Sequence, residues 1–344
     1  MYKLLLKPIL FLFSPETAHK MIIGLLKFLH YIPFSGAIFR LFYSYKNKKL
    51  ERELFGIKFP NPVGLAAGLD KNGEVYNEMA NMGFGFIEIG SLTPQPQPGN
   101  PKPRCFRLVR DRAIINRMGI NNKGSEYALK RLSTRRARVI IGANITKLTS
   151  TPNESAPTDY EAAFIQLYDY ADYFALNVSC PNVKDLTGLQ EIDSLSAIVN
   201  RLIAGRATQK IYKPILLKIS PDITFEHLDK IIELIIQSQI DGIIATNTTR
   251  GREGLTTSSD VIDSIGDGGL SGAPLFGKSL EFVAYLKSRT SVPIIAVGGI
   301  MGPAEAIEML KAGASLIQIY SGFIYSGPGI VRKVLKHIVK SNIS

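Results

Sequence analysis

From residue 54 onward the chain alternates between short apolar runs and longer amphipathic stretches. Eight runs stand out: Pro62–Ala67, Phe84–Gly90, Val139–Ile145, Tyr173–Val178, Pro214–Ile219, Asp241–Thr246, Pro293–Gly298 and Ser315–Tyr320. Each is short, almost wholly apolar and bounded by Gly, Pro or polar residues, the pattern of strands buried on both faces. Between them lie segments with helical spacing, among them Glu74–Met82, Tyr160–Tyr170, Phe225–Gln239, Leu280–Ser288 and Pro303–Lys311. Eight strand–helix repeats predict an α/β fold, a (β/α)8 TIM barrel, with a doubly wound open sheet as the rival. One connection is long. Between Ser91 and Arg138 the chain carries a proline-rich stretch, Thr93 to Pro103, that cannot be regular structure because proline lacks the N–H donor and fixes φ. It leaves the C-terminal end of a predicted strand, the end at which barrels carry their active sites.

The first 45 residues have a different pattern. They are predominantly apolar, interrupted by Lys3, Lys7, His19, Lys20, Lys27 and Arg40, and no unbroken run approaches the roughly 20 residues that span a bilayer. Lys7 and Pro8 break the first run, and no small-x-small cleavage site follows. Ser14-Pro15-Glu16-Thr17 predicts a helix start, with Ser14 as N-cap and Pro15 at the first helical position. The helix beyond is broadly apolar, with Lys20 and Lys27 as a basic edge. Two readings stay open: a helix lying in the headgroup plane with its lysines toward anionic lipid, or a helical pair packed on the main domain. Residues 1–45 are therefore set apart as an N-terminal apolar helical extension, Lys46 to Lys49 as a polar linker, and residues 46–344 as the barrel.

Composition narrows the chemistry. An excess of 41 Lys+Arg over 29 Asp+Glu, a net +12, favours acidic partners, whether phosphorylated ligands, nucleic acid or an anionic membrane. Two cysteines, Cys105 and Cys180, exclude a disulfide scaffold, and the four scattered histidines have no metal-ligand spacing. No metal site is expected.

Polar residues gather where the predicted strands end: Gly68 to Asn72, Ser91, Asn144, Asn177 to Asn182, Lys218, Thr246 to Thr248, Gly298-Gly299 and Tyr320-Ser321-Gly322. In a closed barrel they share one cavity. Several asparagines, each both donor and acceptor, suit a flat heterocycle bearing N–H and C=O groups, and the lysines supply positive charge. The last two loops have the character of a phosphate cradle. Cys180, in Asn-Val-Ser-Cys-Pro-Asn, follows a strand end with a proline-forced turn behind it, a setting in which a thiol near lysines can accept a proton.

These motifs together resemble the dihydroorotate dehydrogenases. The likeness rests on Gly64-Leu-Ala-Ala-Gly-Leu-Asp-Lys71, the run from Glu88-Ile-Gly-Ser91 to Pro103-Arg104, and Asn116-Arg-Met-Gly119. It continues through Asn177-Val-Ser-Cys-Pro-Asn182, Ala245-Thr-Asn-Thr-Thr249, Gly268-Gly-Leu-Ser-Gly272 and Gln318-Ile-Tyr-Ser-Gly322. Ser14-Pro-Glu-Thr-Ala-His19 is similar to the membrane-associated, quinone-reducing class 2.

The resemblance implies FMN held by Ala67, Gly68, Leu69, Asp70, Lys71, Ser91, Asn144, Asn177, Lys218, Thr246, Gly272, Gly299, Tyr320 and Ser321. It implies dihydroorotate or orotate at Lys71, Asn116, Arg117, Met118, Gly119, Ile120, Asn177, Asn182, Asn247 and Thr248, with Cys180 as catalytic base. It further implies a quinone tunnel lined by His19, Arg107 and Tyr320. Class 2 members usually carry serine as base and class 1 members cysteine, so this chain joins a class 2 body to a class 1 base. The expected reaction is oxidation of dihydroorotate to orotate, with FMN as hydride acceptor and a membrane quinone as final acceptor, in pyrimidine biosynthesis. The expected place is the cytoplasmic side of the cell inner membrane, as a peripheral protein contacting the surface through residues 1–45, with no nucleic-acid partner. Rival readings are a dihydrouridine synthase-like enzyme, whose tRNA would suit the +12 charge, and a non-catalytic membrane-surface protein.

Overall fold

The computed structural model describes residues 2–135, 139–179 and 186–342. The chain begins with a π-helical turn, Tyr2–Leu6, that runs into helix α1 (Lys7–Leu12), followed by α2 (Pro15–His30) and α3 (Ser35–Tyr43). Ser14 caps α2 as its sequence predicts, its hydroxyl accepting from the Thr17 amide at 3.3 Å. The polar linker is tighter than expected: it forms a 3-10 turn, Lys48–Leu50, because Leu50 is driven fully into the core.

The strands, in chain order, are β1 (Arg52–Leu54), β2 (Ile57–Phe59), β3 (Val63–Leu65), β4 (Phe86–Leu92), β5 (Cys105–Leu108), β6 (Ala113–Asn116), β7 (Ile140–Ile145), β8 (Tyr173–Asn177), β9 (Ile215–Ile219), β10 (Gly242–Ala245), β11 (Gly269–Gly272), β12 (Ile294–Val297) and β13 (Leu316–Ile319). Eight of them close a barrel in the order β3-β4-β7-β8-β9-β10-β12-β13, every neighbouring pair parallel. Strand order follows chain order, and each predicted apolar run coincides with one barrel strand, β4 overrunning its predicted end at Gly90 to reach Leu92. This is a (β/α)8 barrel, and the open-sheet alternative falls away because β13 pairs with β3.

The barrel interior is filled from below. The hairpin β1–β2 packs Phe59 against Phe86 and, with Tyr173, Leu216, Ile244, Ile295 and Leu316, forms a layer of inward side chains. That layer makes the lower half a packed core, and the cavity lies above it, at the C-terminal ends of the strands. The long excursion supplies two strands of a second sheet above this end, antiparallel β5–β6–β11, and the chain after β10 supplies the third, residues 269–272 pairing with 113–116.

Helices α2 and α3 rest on the barrel, as the second of the two readings expected, while keeping an exposed apolar face. Ile22, Ile23, Leu26 and Leu29 pack inward. Outward, Leu12 is 84% exposed, Phe34 82% and Leu41 72%, alongside Leu4, Leu5, Ile9, Phe28, Ile38 and Phe42. No single helix among the described residues is long and apolar enough to cross a membrane; α2 and α3 pass that test only as a pair bent by 117°. Lys27 corrects the expected lipid-facing basic edge. Its ammonium turns inward and bonds Glu74 at 2.8 Å, because that largely buried carboxylate needs donors.

Candidate active site

A cavity of ≈ 520 Å³ opens at the C-terminal mouth of the barrel and continues beneath α1, α2 and α3. It has two chemically different halves. The polar half is lined by strand-end residues, among them Lys71, Ser91, Asn144, Asn177, Lys218, Thr246 and Asn247. The apolar half is lined by Leu6, Leu10, Phe11, Ile22, Ile23, Leu26 and Leu29.

Hydrogen bonds lace the polar half. Asn177 Nδ2 donates to Ser91 Oγ at 2.8 Å, and Ser91 Oγ donates in turn to Asn144 Oδ1. Asn247 Nδ2 donates to Asn177 Oδ1 at 3.1 Å and to Ser179 Oγ at 3.0 Å. Lys71 Nζ donates to Asn121 Oδ1 at 2.5 Å. Beneath them Glu88 accepts from Asn144 and Gln318 at 2.9 and 2.6 Å, and from Tyr173 and Lys218 at 3.3 and 3.5 Å. Thr248 Oγ1 and Gln318 Oε1 are buried with no hydrogen-bond partner among the described residues, and both residues line the cavity. Buried polar atoms of this kind are normally satisfied, so a polar ligand fits here.

The backbone is shaped around the same space. Gly68 has φ +102° and lies against the Tyr320 ring, where a Cβ would sit at 3.3 Å. Gly299 has φ +70°, and a Cβ there would lie 2.5 Å from the Phe276 backbone. Both positions therefore require glycine. Gly298, Gly299, Ser321 and Gly322 bring the loops after the neighbouring strands β12 and β13 to the cavity, and Ser321 Oγ lies 3.0 Å from Ser271 Oγ of β11.

The structure places most of the expected site residues on this cavity: Ala67, Gly68, Leu69, Lys71, Ser91, Asn116, Met118, Gly119, Ile120, Asn144, Asn177, Lys218, Thr246, Asn247, Thr248, Gly272, Gly299, Tyr320 and Ser321. Two expectations need correction. Asp70 does not line the cavity; its carboxylate accepts from the Glu74 and Val75 amides at 2.7 and 2.9 Å, and burial pushes it up to about 6. Arg117 also points away, donating to the carbonyls of Ile265 and Asp267 and stacking over Phe106. Each neighbours a lining residue in the chain, but adjacency does not set side-chain direction. Cys180 and Asn182 lie outside the described residues.

His19, Arg107 and Tyr320 meet the cavity on its apolar side. His19 Nε2 lies 2.7 Å from the Leu69 carbonyl. Burial holds its pKa below the ordinary value, so at neutral pH the ring is uncharged and Nε2 carries the proton donated to that carbonyl. Arg107 donates to the carbonyls of Leu10, Phe11 and Phe13 and lies over the Phe11 ring, tying α1 to the excursion sheet. Cys105 lines the same region, and burial pushes its thiol up to about 11, which leaves it protonated and unreactive at neutral pH.

The roof over the cavity is fixed by charge. Arg104 grips Glu16 through two bonds of 3.1 and 2.9 Å, and His30 meets Glu78 at 2.7 Å. Glu74 joins Lys27, Lys123, Tyr127 and Asn72. Burial opposes its charge, but those four hydrogen bonds outweigh it and hold its pKa down to about 2. A carboxylate with a lowered folded pKa stabilises the docked state above its unfolded pKa, and that contribution is lost as pH falls through the folded value. Amide exchange in α2 is therefore expected to accelerate as pH is lowered from about 4.5 toward 2, after correction for intrinsic rates. Glu74→Gln should weaken that acid-dependent step, leaving the share carried by Glu16, whose carboxyl the Arg104 hydrogen bonds also hold below its ordinary value.

Sequence reasoning assigned no role to Glu88, Gln318, Asn121 or Ser271. The signal was present for the first two: a Glu in Phe-Ile-Glu-Ile and a Gln in Leu-Ile-Gln-Ile interrupt strands that are otherwise buried and apolar.

The dihydroorotate dehydrogenase family model matches residues 49–341. A "Dihydroorotate dehydrogenase (quinone)" of Christiangramia forsetii is 48% identical over 345 residues, covering 100% of both chains. A protein of the same name from Coxiella burnetii is 43% identical, covering 98% of this chain and 96% of its own. Among solved structures, DHODH from Eimeria tenella in complex with ferulenol is similar with TM-score 0.85 and 35% identity over 95% of this chain and 91% of that one. Its ligand-free form gives TM-score 0.86 and 35% identity over 96% of both.

Proposed function

The chain belongs to the dihydroorotate dehydrogenase family, in its quinone-dependent class 2, and we propose that it oxidises dihydroorotate to orotate with FMN in the polar half of the cavity and a membrane quinone in the apolar half. One observation supports the reading above the others: a single cavity runs from asparagines and lysines at the barrel mouth to a predominantly apolar channel under α2. A water-soluble cyclic imide bearing one carboxylate and a lipid-soluble acceptor need those two different environments around one redox group.

The residues present fit FMN. The donors Asn144, Asn177, Lys71 and Lys218 suit a flat ring with imide edges, and the Gly298-Gly299 and Ser321-Gly322 loops suit its phosphate. When bound, FMN supplies a two-electron acceptor for the substrate's hydride and passes those electrons on to the quinone. The chain's own residues do the rest. Lys71, Asn116, Asn177, Asn182, Asn247 and Thr248 bind and orient the substrate, and Thr248 Oγ1 is a buried atom still open to such a bond. Cys180, as thiolate, takes the C5 proton. Lys218 places positive charge where electron density grows.

Residues 1–45 form the membrane-associating segment in this proposal, and 46–344 the FMN-binding barrel. The exposed apolar faces of the N-terminal turn and of α1 to α3, with the exposed Lys3 and Lys20 beside them, suit the headgroup region of the inner membrane on its cytoplasmic side. The deciding experiment is a visible spectrum of the purified protein. A yellow flavin band should bleach anaerobically on adding dihydroorotate and recover on adding a quinone. A colourless protein, or a band indifferent to dihydroorotate, overturns the proposal.

A further inference from the structure

We propose that Glu88 is a positioning residue that sets how readily a flavin in the cavity accepts electrons, acting through Lys218 and Gln318; this rests on the flavin reading above. Glu88 is fully buried in β4, inside the barrel, and its carboxylate gathers donors from four other strands. They are Asn144 of β7, Tyr173 of β8, Lys218 of β9 and Gln318 of β13, at 2.9, 3.3, 3.5 and 2.6 Å. Asn144, Lys218 and Gln318 line the cavity, whereas Glu88 and Tyr173 lie below it. Tyr173 is seated by Gly142, where a Cβ would collide with the phenol ring and hydroxyl at 2.1 to 2.5 Å.

This arrangement has two consequences for whatever sits above. First, a buried ammonium next to a buried carboxylate is a compensated pair, and its charges act strongly because little water screens them. The carboxylate thus offsets part of the positive potential that Lys218 projects into the cavity. Second, a carboxylate accepts hydrogen bonds and does not donate them. Gln318 must therefore turn its NH₂ toward Glu88, which leaves its carbonyl oxygen unpartnered and available only to a ligand N–H or O–H. Glu88 fixes both the charge and the hydrogen-bond polarity of the cavity floor without touching the ligand.

The test is the midpoint potential of the bound flavin in the full-length protein. Glu88→Gln keeps the shape and removes the charge, so Lys218 acts uncompensated. Reduced flavin should gain at least tenfold in binding relative to oxidised flavin, a positive shift of about 30 mV or more for a two-electron couple. Tyr173→Phe removes one donor and leaves the Glu88 charge less dispersed, so the potential should move the other way, by less. Opposite signs are the signature, since general loosening of the site would move both variants alike. Unmoved potentials, or shifts of one sign, overturn the inference while a yellow, dihydroorotate-bleached wild type still upholds the flavin reading. A colourless wild type removes both. If Glu88→Gln folds without flavin, the direction of the Tyr173→Phe shift decides.

Discussion

Replacing Cys180 with alanine is expected to slow the bleaching of bound flavin by dihydroorotate by roughly 10²–10⁴-fold, the usual contribution of a placed general base, while flavin stays bound. The reasoning starts from the residues around it. Ser179, just before it, is fully buried, its hydroxyl donating to the Lys218 carbonyl at 2.9 Å and accepting from Asn247 at 3.0 Å. Ser179 is thus tied to the wall of the polar half, and the proposed base is the next residue in the chain. An ordinary thiol ionises near 8.5 and an ammonium group beside it lowers that value, so the proposed base acts as a thiolate at neutral pH by having a lysine for a neighbour. Stopped-flow absorbance measures the step directly, free of the quinone half-reaction. Cys180→Ser should retain part of the rate and need higher pH, since a hydroxyl surrenders its proton far less readily. An unchanged bleaching rate in the alanine variant would show that another group takes the proton.

Deleting residues 1–45 should separate the two half-reactions. The apolar half of the cavity is built largely from that segment, with Leu6, Leu10, Phe11, Ile22, Ile23, Leu26, Leu29 and Phe39 in its lining. The polar half is carried by the barrel strands and the loops that follow them. Turnover with a long-chain quinone is expected to fall by about two orders of magnitude or more, the scale on which loss of substrate positioning acts. Bleaching by dihydroorotate should change by less than about tenfold, because the groups assigned to that step remain. Retention of the flavin spectrum reports that the barrel has kept its fold. Quinone kinetics that survive the deletion would refute the channel.

The barrel was legible because each of its strands is a short run buried on both faces, so apolar residues are contiguous and the bounding Gly and Pro are conspicuous. The second sheet was not. Its strands β5, β6 and β11 are four residues each, and β11 pairs with β6 across some 150 residues of chain, a partnership local patterning does not encode. Gly268 to Gly272 was visible as a motif but not as a strand. Strand-end position identified Lys71, Asn144, Asn177, Lys218 and Asn247, since every barrel strand delivers its last residues to one mouth. Strand-end position for Asp70 and the family motif for Arg117 did not foretell side-chain direction: a buried pair of amides and an aromatic face turn the two away from the cavity. Lys27 shows a related limit: its charge suggested lipid, but the carboxylate that claims it lies 47 residues further along.

The plug of Phe59, Phe86 and Tyr173 under the cavity has a consequence for traffic. With the base of the cylinder stoppered by aromatic rings, a visiting molecule cannot be fed from beneath and comes from the rim. In the function proposed above, the acid and the quinone would then arrive through unlike surroundings, one polar and one greasy, so that neither has to clear the other's path.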